Sequence, residues 1–441
     1  MPPGQVIEGE APLVGEVSTR HRLERGLRIS LFVALCTLLI FGPLALGIVE
    51  DWSIALFEAG AAVVLLIWMA SELAAREVRI RWNPLFAPML VFFGLVLVQI
   101  GGHRSVYLND TLSELWLYIA YGILVFVAVQ LLRADHDWMP RFGKTMAAFG
   151  AVYSVFAVLQ GFTSEGKIYW LIKPRAGAVY GSYVNHNHYA GLMELLLPFA
   201  VVLAFSGSVR GAKRFLLGFA AMLMAASVFL CQSRGGMFAV IVETVFLAVF
   251  WMRKFSPRKS AAVFVAFCLV TALFLAWIAP QQVGSRITDT HDPARWLIHR
   301  DSFPMFAAHP FLGSGFGSFA TAFPRYRVFY DGFFINHAHD DYLELLLETG
   351  LAGLGAGVWF LVVLYREGLR NLRPPRLSPA ALISAAALAG CTGLLAHSFT
   401  DFNLHIPANA ALFYVLCAVA TVPGSRNRGR YDSYLDRSGG S

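Results

Sequence analysis

Twelve stretches of the chain are mostly apolar over 15 to 24 residues each: Ile29–Val49, Ile54–Glu72, Pro84–Gly101, Leu115–Leu132, Met146–Phe162, Tyr189–Phe205, Phe215–Cys231, Gly236–Met252, Ala261–Ala279, Tyr342–Tyr365, Pro379–Ser398 and Ala408–Val422. A bilayer core about 30 Å thick is crossed by roughly 20 residues of helix. Inside lipid the backbone must satisfy its own hydrogen bonds, so such runs are helices. The pattern therefore predicts an all-α polytopic membrane protein of about twelve transmembrane helices. Polar residues gather in two long connections, 163–188 and 280–341. The second is long enough to fold into short helices over the membrane, and loops of that length in a compact protein are usually functional.

The charges orient this array. Of the 35 Lys and Arg residues, 25 fall in segments that share a side if the N-terminus is cytoplasmic, among them Arg20, Arg22, Arg25 and Arg28 before the first span and Arg426, Arg428, Arg430 and Arg437 after the last. The short loops of the opposite side hold only Arg104 and Arg234. That asymmetry is the positive-inside bias, and it predicts two cytoplasmic termini. Residues 1–28 mix acids, prolines and arginines without an apolar run. They read as a disordered cytoplasmic tail before an uncleaved first helix, and 423–441 as a second such tail. The expected organisation is then N-terminal transmembrane helices over 29–162 and a second membrane region over 163–422 that includes the loop 280–341.

Composition agrees. Hydrophobic residues make up 57% of the chain and charged residues 14%, with mean hydropathy +0.59. A soluble domain carries about 25% charge, so a water-soluble globule is excluded. The net charge of +7 belongs to the topology signal and does not call for nucleic acid. Cys36, Cys231, Cys268, Cys391 and Cys417 all lie in apolar runs without CxxC spacing. They read as small core residues, with no disulfide or metal framework.

Candidate chemistry lies on the outer side. Asn185, His186, Asn187 and His188 open a helix, where Asn187 suits an N-cap, but the cluster exceeds what capping needs. Arg234 sits in the short loop CQSRGG. It is either an interfacial arginine snorkelling to water or a clamp whose guanidinium fork holds an anion. His337 and His339 precede a helix whose first turn carries Asp340 and Asp341, acids that also suit the helix dipole. The His-x-His pair reads as a general base near neutral pH, or as a zinc site with His186 and His188. Nothing fixes a third ligand for the latter. Arg286, Arg295 and Arg300 are candidates for anion contact. Gly313, Gly315 and Gly317 mimic a nucleotide loop but follow no strand, so they read as a turn. Glu194 and Glu243 are carboxylates within spans, and Glu58 lies near the outer end of another. Such groups are functional by default in lipid.

Five segments taken in order carry a resemblance: Arg175 followed by GSYVNHNHYAG, SRGG at 233–236, HPFLGSGFGSF, NHAHDDYLELLLETGLAG and DFNLHIPANA at 401–410. Together they resemble the O-antigen ligase/polymerase family of bacterial envelope glycosyltransferases, over roughly residues 170–410. The resemblance implies a GT-C-like membrane architecture in the bacterial inner membrane with its active site facing the periplasm. It implies an inverting, metal-independent and cofactor-free glycosyl transfer. The donor would be a glycan on undecaprenyl diphosphate. The acceptor would be the lipid A core for a ligase, or a second lipid-linked glycan for a polymerase. The ending DFNLHIPANA resembles polymerase-like members more. By the same resemblance Arg175 and Arg234 would hold the diphosphate and His339, or else His337, would be the base. Asn185, Asn187, His188, Arg295 and Asp340 would contact substrate. Asp340 stands where the family usually has Asn, a departure that alters the local hydrogen bonding. The alternatives are a protein-glycosylating oligosaccharyltransferase, which differs in its acceptor, and a multi-helix secondary transporter, which should show two related halves.

Overall fold

The computed structural model describes residues 14–135, 137–174, 177–206, 209–254, 265, 269, 293–330, 332–374 and 377–423. Among them the fold is all-α. In chain order the helices are α1 (Val14–Leu44), α2 (Asp51–Ala75), α3 (Phe86–Gly101), α4 (Leu108–Ala134), α5 (Trp138–Thr163), α6 (His186–Phe205), α7 (Ala212–Leu230) and α8 (Arg234–Lys254). They continue with α9 (Pro293–Ala308), α10 (Phe319–Ala322), α11 (Asp341–Asn371), α12 (Pro379–His397) and α13 (Pro407–Thr421). Nine of these are long and apolar enough to cross a membrane, and α3 and α13 are shorter apolar helices. Eleven of the twelve apolar runs thus coincide with helices. The twelfth, Ala261–Ala279, lies outside the described residues except for Val265 and Leu269. The chain is a multi-pass membrane protein.

The helices sort by burial. α6, α12 and α13 are buried around nearly their whole circumference. Small residues let α12 and α6 approach: a β-carbon on Gly390 would lie 3.0 Å from the Glu194 carbonyl oxygen. Lipid gives helices no hydrophobic reason to associate, so close packing of this kind holds them. Outer helices show apolar faces, as on α2 with Leu56, Val63, Leu66 and Leu73 exposed.

Two boundaries differ from the sequence pattern. α1 begins at Val14, so residues 14–28 are helical where a disordered tail was expected. Arg20 donates to the carbonyls of Ala74 and Ala75 at the end of α2, and Arg28 pairs with Glu24 at 2.9 Å. These polar ties extend the helix past the apolar run that hydropathy detects. α4 likewise starts ahead of its apolar run. There Thr321 Oγ1 donates to Asp110 Oδ2 at 3.0 Å and ties the long loop to its first turn.

The described part of the long loop forms α9, α10 and a 3-10 turn around a small core of its own, including Ile298, Met305, Phe319, Phe323 and Ala338. It is anchored at a break in α11, where Gly350 has φ 64° and ψ −165°. The break leaves four backbone groups without helical partners, and the loop supplies them. Leu351 and Ala352 donate to the carbonyls of Pro310 and Phe311, at 2.8 and 3.1 Å. Ser314 and Gly315 donate to those of Leu347 and Glu348, both at 3.0 Å. Gln99 of α3 adds a hydrogen bond to the Glu348 carbonyl at 2.7 Å. The carboxylate of Glu348 accepts from the backbone of Gly317 and Phe319, at 2.9 Å each. The glycines of GSGFG therefore serve a turn, with φ of 70°, 117° and 76° at Gly313, Gly315 and Gly317.

Candidate functional site

Three helix N-termini, those of α6, α8 and α11, meet beside the end of α12. At α6 the N-cap is Asn185, whose side chain accepts from the Asn187 backbone at 2.9 Å. Capping by Asn185 corrects the expectation that Asn187 caps. It leaves the Asn187 amide to donate to Asp401. At α8, Gly235 lies against the end of α12: a β-carbon there would meet His397 Nε2 at 2.5 Å and Thr400 Oγ1 at 2.6 Å. Only glycine lets the exposed Arg234 begin a helix this close to Thr400. At α11, Asp340 is the N-cap and accepts from Tyr342 and Leu343 at 3.0 Å each, while the Asp341 N–H donates to the Ser398 carbonyl at 2.9 Å. Each helix N-terminus carries partial positive charge, which suits a neighbouring anion.

Asp401 is the hub. Its side chain is fully buried. Besides Asn187, it has His188 Nε2 at 3.7 Å, an Arg295 nitrogen at 3.8 Å and His339 Nδ1 at 4.0 Å. The Phe402 N–H donates to it at 2.8 Å. Burial would raise the Asp401 carboxyl, but the His188 imidazole and the charges of His397 and Arg295 outweigh it and hold the group well below the usual carboxylate range. Arg295 also donates to the Thr400 carbonyl. Phe402 is the packing counterpart of this hub. His337 stacks on it at 4.1 Å, and His188 and His339 meet it edge-on at 4.8 and 5.0 Å.

His339 and His337 have different surroundings. His339 takes a left-handed backbone, φ 56°, and a third of its side chain is exposed. Burial pushes its imidazole below the ordinary value; Asp401 opposes the shift, and Arg295 and His337 add to it. The shift favours the neutral ring, the form that can take a proton. His337 is instead engaged. Its Nδ1 lies 2.8 Å from Glu344 Oε1, and Glu344 Oε2 accepts the Ala338 N–H at 2.7 Å. His405 lies beside them, with Nδ1 2.8 Å from Asp341 Oδ1 and Nε2 3.5 Å from Glu344 Oε1. Burial would lower the His405 imidazole, but Glu344 and Asp341 raise it well above the ordinary value. His337, Glu344 and His405 offer ligand atoms close enough to hold a metal ion.

The candidate residues are thus partly united. Asn187, His188, Arg295 and His339 gather on Asp401, Asn185 and Asp340 cap the helices that present them, and Arg234 stands at the start of α8. The four-histidine zinc arrangement is not formed. His186 Nδ1 faces the Cys231 carbonyl, His337 Nδ1 faces Glu344, and His188 and His339 face Asp401. Arg300 is held by Asp301 at 2.7 Å. Arg175 and Arg286 lie outside the described residues. Glu194 bonds His397 Nδ1 at 2.8 Å, one turn before Asp401, and Glu243 is buried in α8. The structure adds Asp401, Phe402, Glu344 and His405. The available signal was DFNLH, a polar interruption between two apolar runs. Nothing local distinguished its Asp from a loop acid.

Residues 219–356 match a family model described as O-antigen ligase. The match supports the O-antigen ligase/polymerase family, and with it a glycosyltransferase-type enzyme working on lipid-linked glycans in a membrane. It spans less than half the chain, from within α7 to within α11. It takes in Arg234, Arg295, His337, His339 and Asp340, while Asn185, Asn187, His188 and Asp401 lie outside it. No curated protein matches the chain.

Proposed function

We propose that the protein transfers a glycan from undecaprenyl diphosphate to a sugar hydroxyl at the periplasmic face of the inner membrane, and that it is a repeat-unit polymerase rather than an O-antigen ligase. The observation that carries this reading is the part-exposed His339 set 4.0 Å from the buried carboxylate of Asp401. The acceptor oxygen attacks the anomeric carbon from the face opposite the diphosphate as its proton passes to His339. The bond from that carbon to the diphosphate oxygen breaks, and undecaprenyl diphosphate leaves with the electron pair. The configuration inverts. Asp401 then stabilises the imidazolium. Arg234 and Arg175 bind the diphosphate and stabilise the charge it gains, aided by the converging helix N-termini. Diphosphate is a good leaving group, so no step requires a resident metal or cofactor. Asn187, His188 and Arg295 act at the substrate side of the same cluster, and Asn185 and Asp340 support it as caps.

The test is a strain lacking the chain, examined for its surface glycan and complemented with variants. Single repeats on the lipid A core are expected. Free lipid-linked polymer beside a bare core would make the protein a ligase. An unchanged glycan with lost solute uptake would sink the reading in favour of transport. His339→Ala should lower transfer by about 10²–10⁴-fold, the contribution of a general base, and Arg234→Ala should abolish it with membrane insertion intact. Full activity in either variant removes the role given to that residue.

A further inference from the structure

The proposed base sits in an unfavourable backbone conformation, and something must hold it there. A non-glycine residue in the left-handed region is unfavourable because its β-carbon crowds the following carbonyl oxygen. His339 adopts it directly before the N-cap of α11, without a glycine on either side. Such strain persists only where the surroundings over-determine it, and it collects at active sites.

We propose that Glu344 is the positioning residue for His339, an inference that rests on the reading of His339 as the base. Glu344 is buried one turn into α11 and grips the two residues just upstream of His339 with both oxygens. Oε1 takes His337 Nδ1 at 2.8 Å and Oε2 takes the Ala338 N–H at 2.7 Å. Ala338 is itself fully buried in the small core of the loop. The grip leaves His337 flat against Phe402, and Phe402 then serves as the floor on which His339 rests edge-on. His405 completes the clamp. It lies 3.5 Å from Glu344 and is fixed from behind by Asp341 at 2.8 Å. Two carboxylates, Glu344 and Asp341, thus face two imidazoles, His337 and His405. A carboxylate is required because it alone offers two acceptor oxygens. A glutamine of the same shape would turn an amide NH₂ toward one of the two N–H groups.

The test is a double-mutant cycle in purified full-length protein with a lipid-linked glycan donor and acceptor. Glu344→Gln should lower kcat by about 10²-fold, the scale of a small misplacement of a catalytic group, with KM nearly unchanged. In a His339→Ala background the same substitution should have no further effect, because a residue that acts through another is not additive with it. If Glu344→Gln does not insert, His337→Asn is the second variant. It removes one partner of the carboxylate and should show the same non-additivity. Full activity in Glu344→Gln overturns the proposal. So do additive losses, which mark a structural role. One zinc ion per chain, lost on substitution of His405, would make the cluster a metal site and also overturn it. A wild-type protein that transfers no glycan, although folded, removes the base and this proposal with it. Activity that needs His339 but not Glu344 removes this proposal alone.

Discussion

His339 and Asp401 form a pair whose electrostatics predict a pH response. Burial sets the imidazole below its ordinary value of about 6.5, while Asp401 pulls it upward. A base must be unprotonated, so transfer should be flat through neutral pH and fall on acidification with a midpoint below that value. Asp401→Asn removes the upward pull. Its midpoint should therefore move to still lower pH, while its maximal rate falls because the imidazolium loses its counter-charge. Rates measured across about pH 5–8 check both, and a midpoint that rises in Asp401→Asn would refute the pairing. At this scale the sequence was informative about types and poor about partners. Asn185 to His188 stood out as a polar cluster at a helix start. Which of them caps and which reaches across was set by contact with Asp401, more than two hundred residues away. Residue type alone did not separate His337 from His339; the resemblance favoured His339, and in the structure Glu344 engages His337.

Among the elements, the break in α11 carries the architecture of the loop. Hydropathy read one continuous span, Tyr342–Tyr365, and Gly350 within it gave no sign of a left-handed turn. The structure uses that residue to expose two carbonyls and two N–H groups, which the segment 310–315 then satisfies. A β-carbon on Gly350 would meet the Phe311 carbonyl oxygen at 2.5 Å and the Leu312 nitrogen at 2.6 Å. Gly350→Ala should therefore destabilise the protein by about 1–3 kcal/mol, lower its Tm in detergent and reduce transfer as the loop detaches. Gly355→Ala is the control, since nothing lies within 4 Å of its added β-carbon. Equal stability of the two variants would mean that the loop is not anchored there. The same logic explains α1 and α4, whose starts lie outside the apolar runs. Those turns are held by hydrogen bonds and ion pairs, which hydropathy does not register.

For the whole molecule, orientation is the property that most needs measurement. The twelve apolar runs and the arginine bias lead us to expect both termini in the cytoplasm. A fluorescent protein fused after residue 423 should then fluoresce, and alkaline phosphatase at the same place should be inactive. The reverse result would turn the Asp401 cluster to the cytoplasm, where a periplasmic transfer could not occur. The sequence by itself determined the class of the molecule, the places of its apolar helices and the family it resembles. Lipid makes that possible, because a spanning segment must satisfy its backbone internally and so shows its length as an apolar run. Tertiary structure decided the partners within the candidate site. Asp401 is bounded by side chains from α6, α9 and the approach to α11, and Glu344 grips a segment outside its own helix. Those contacts repay the desolvation of buried charges, a balance struck between segments far apart in the chain that leaves no periodic mark on any one of them.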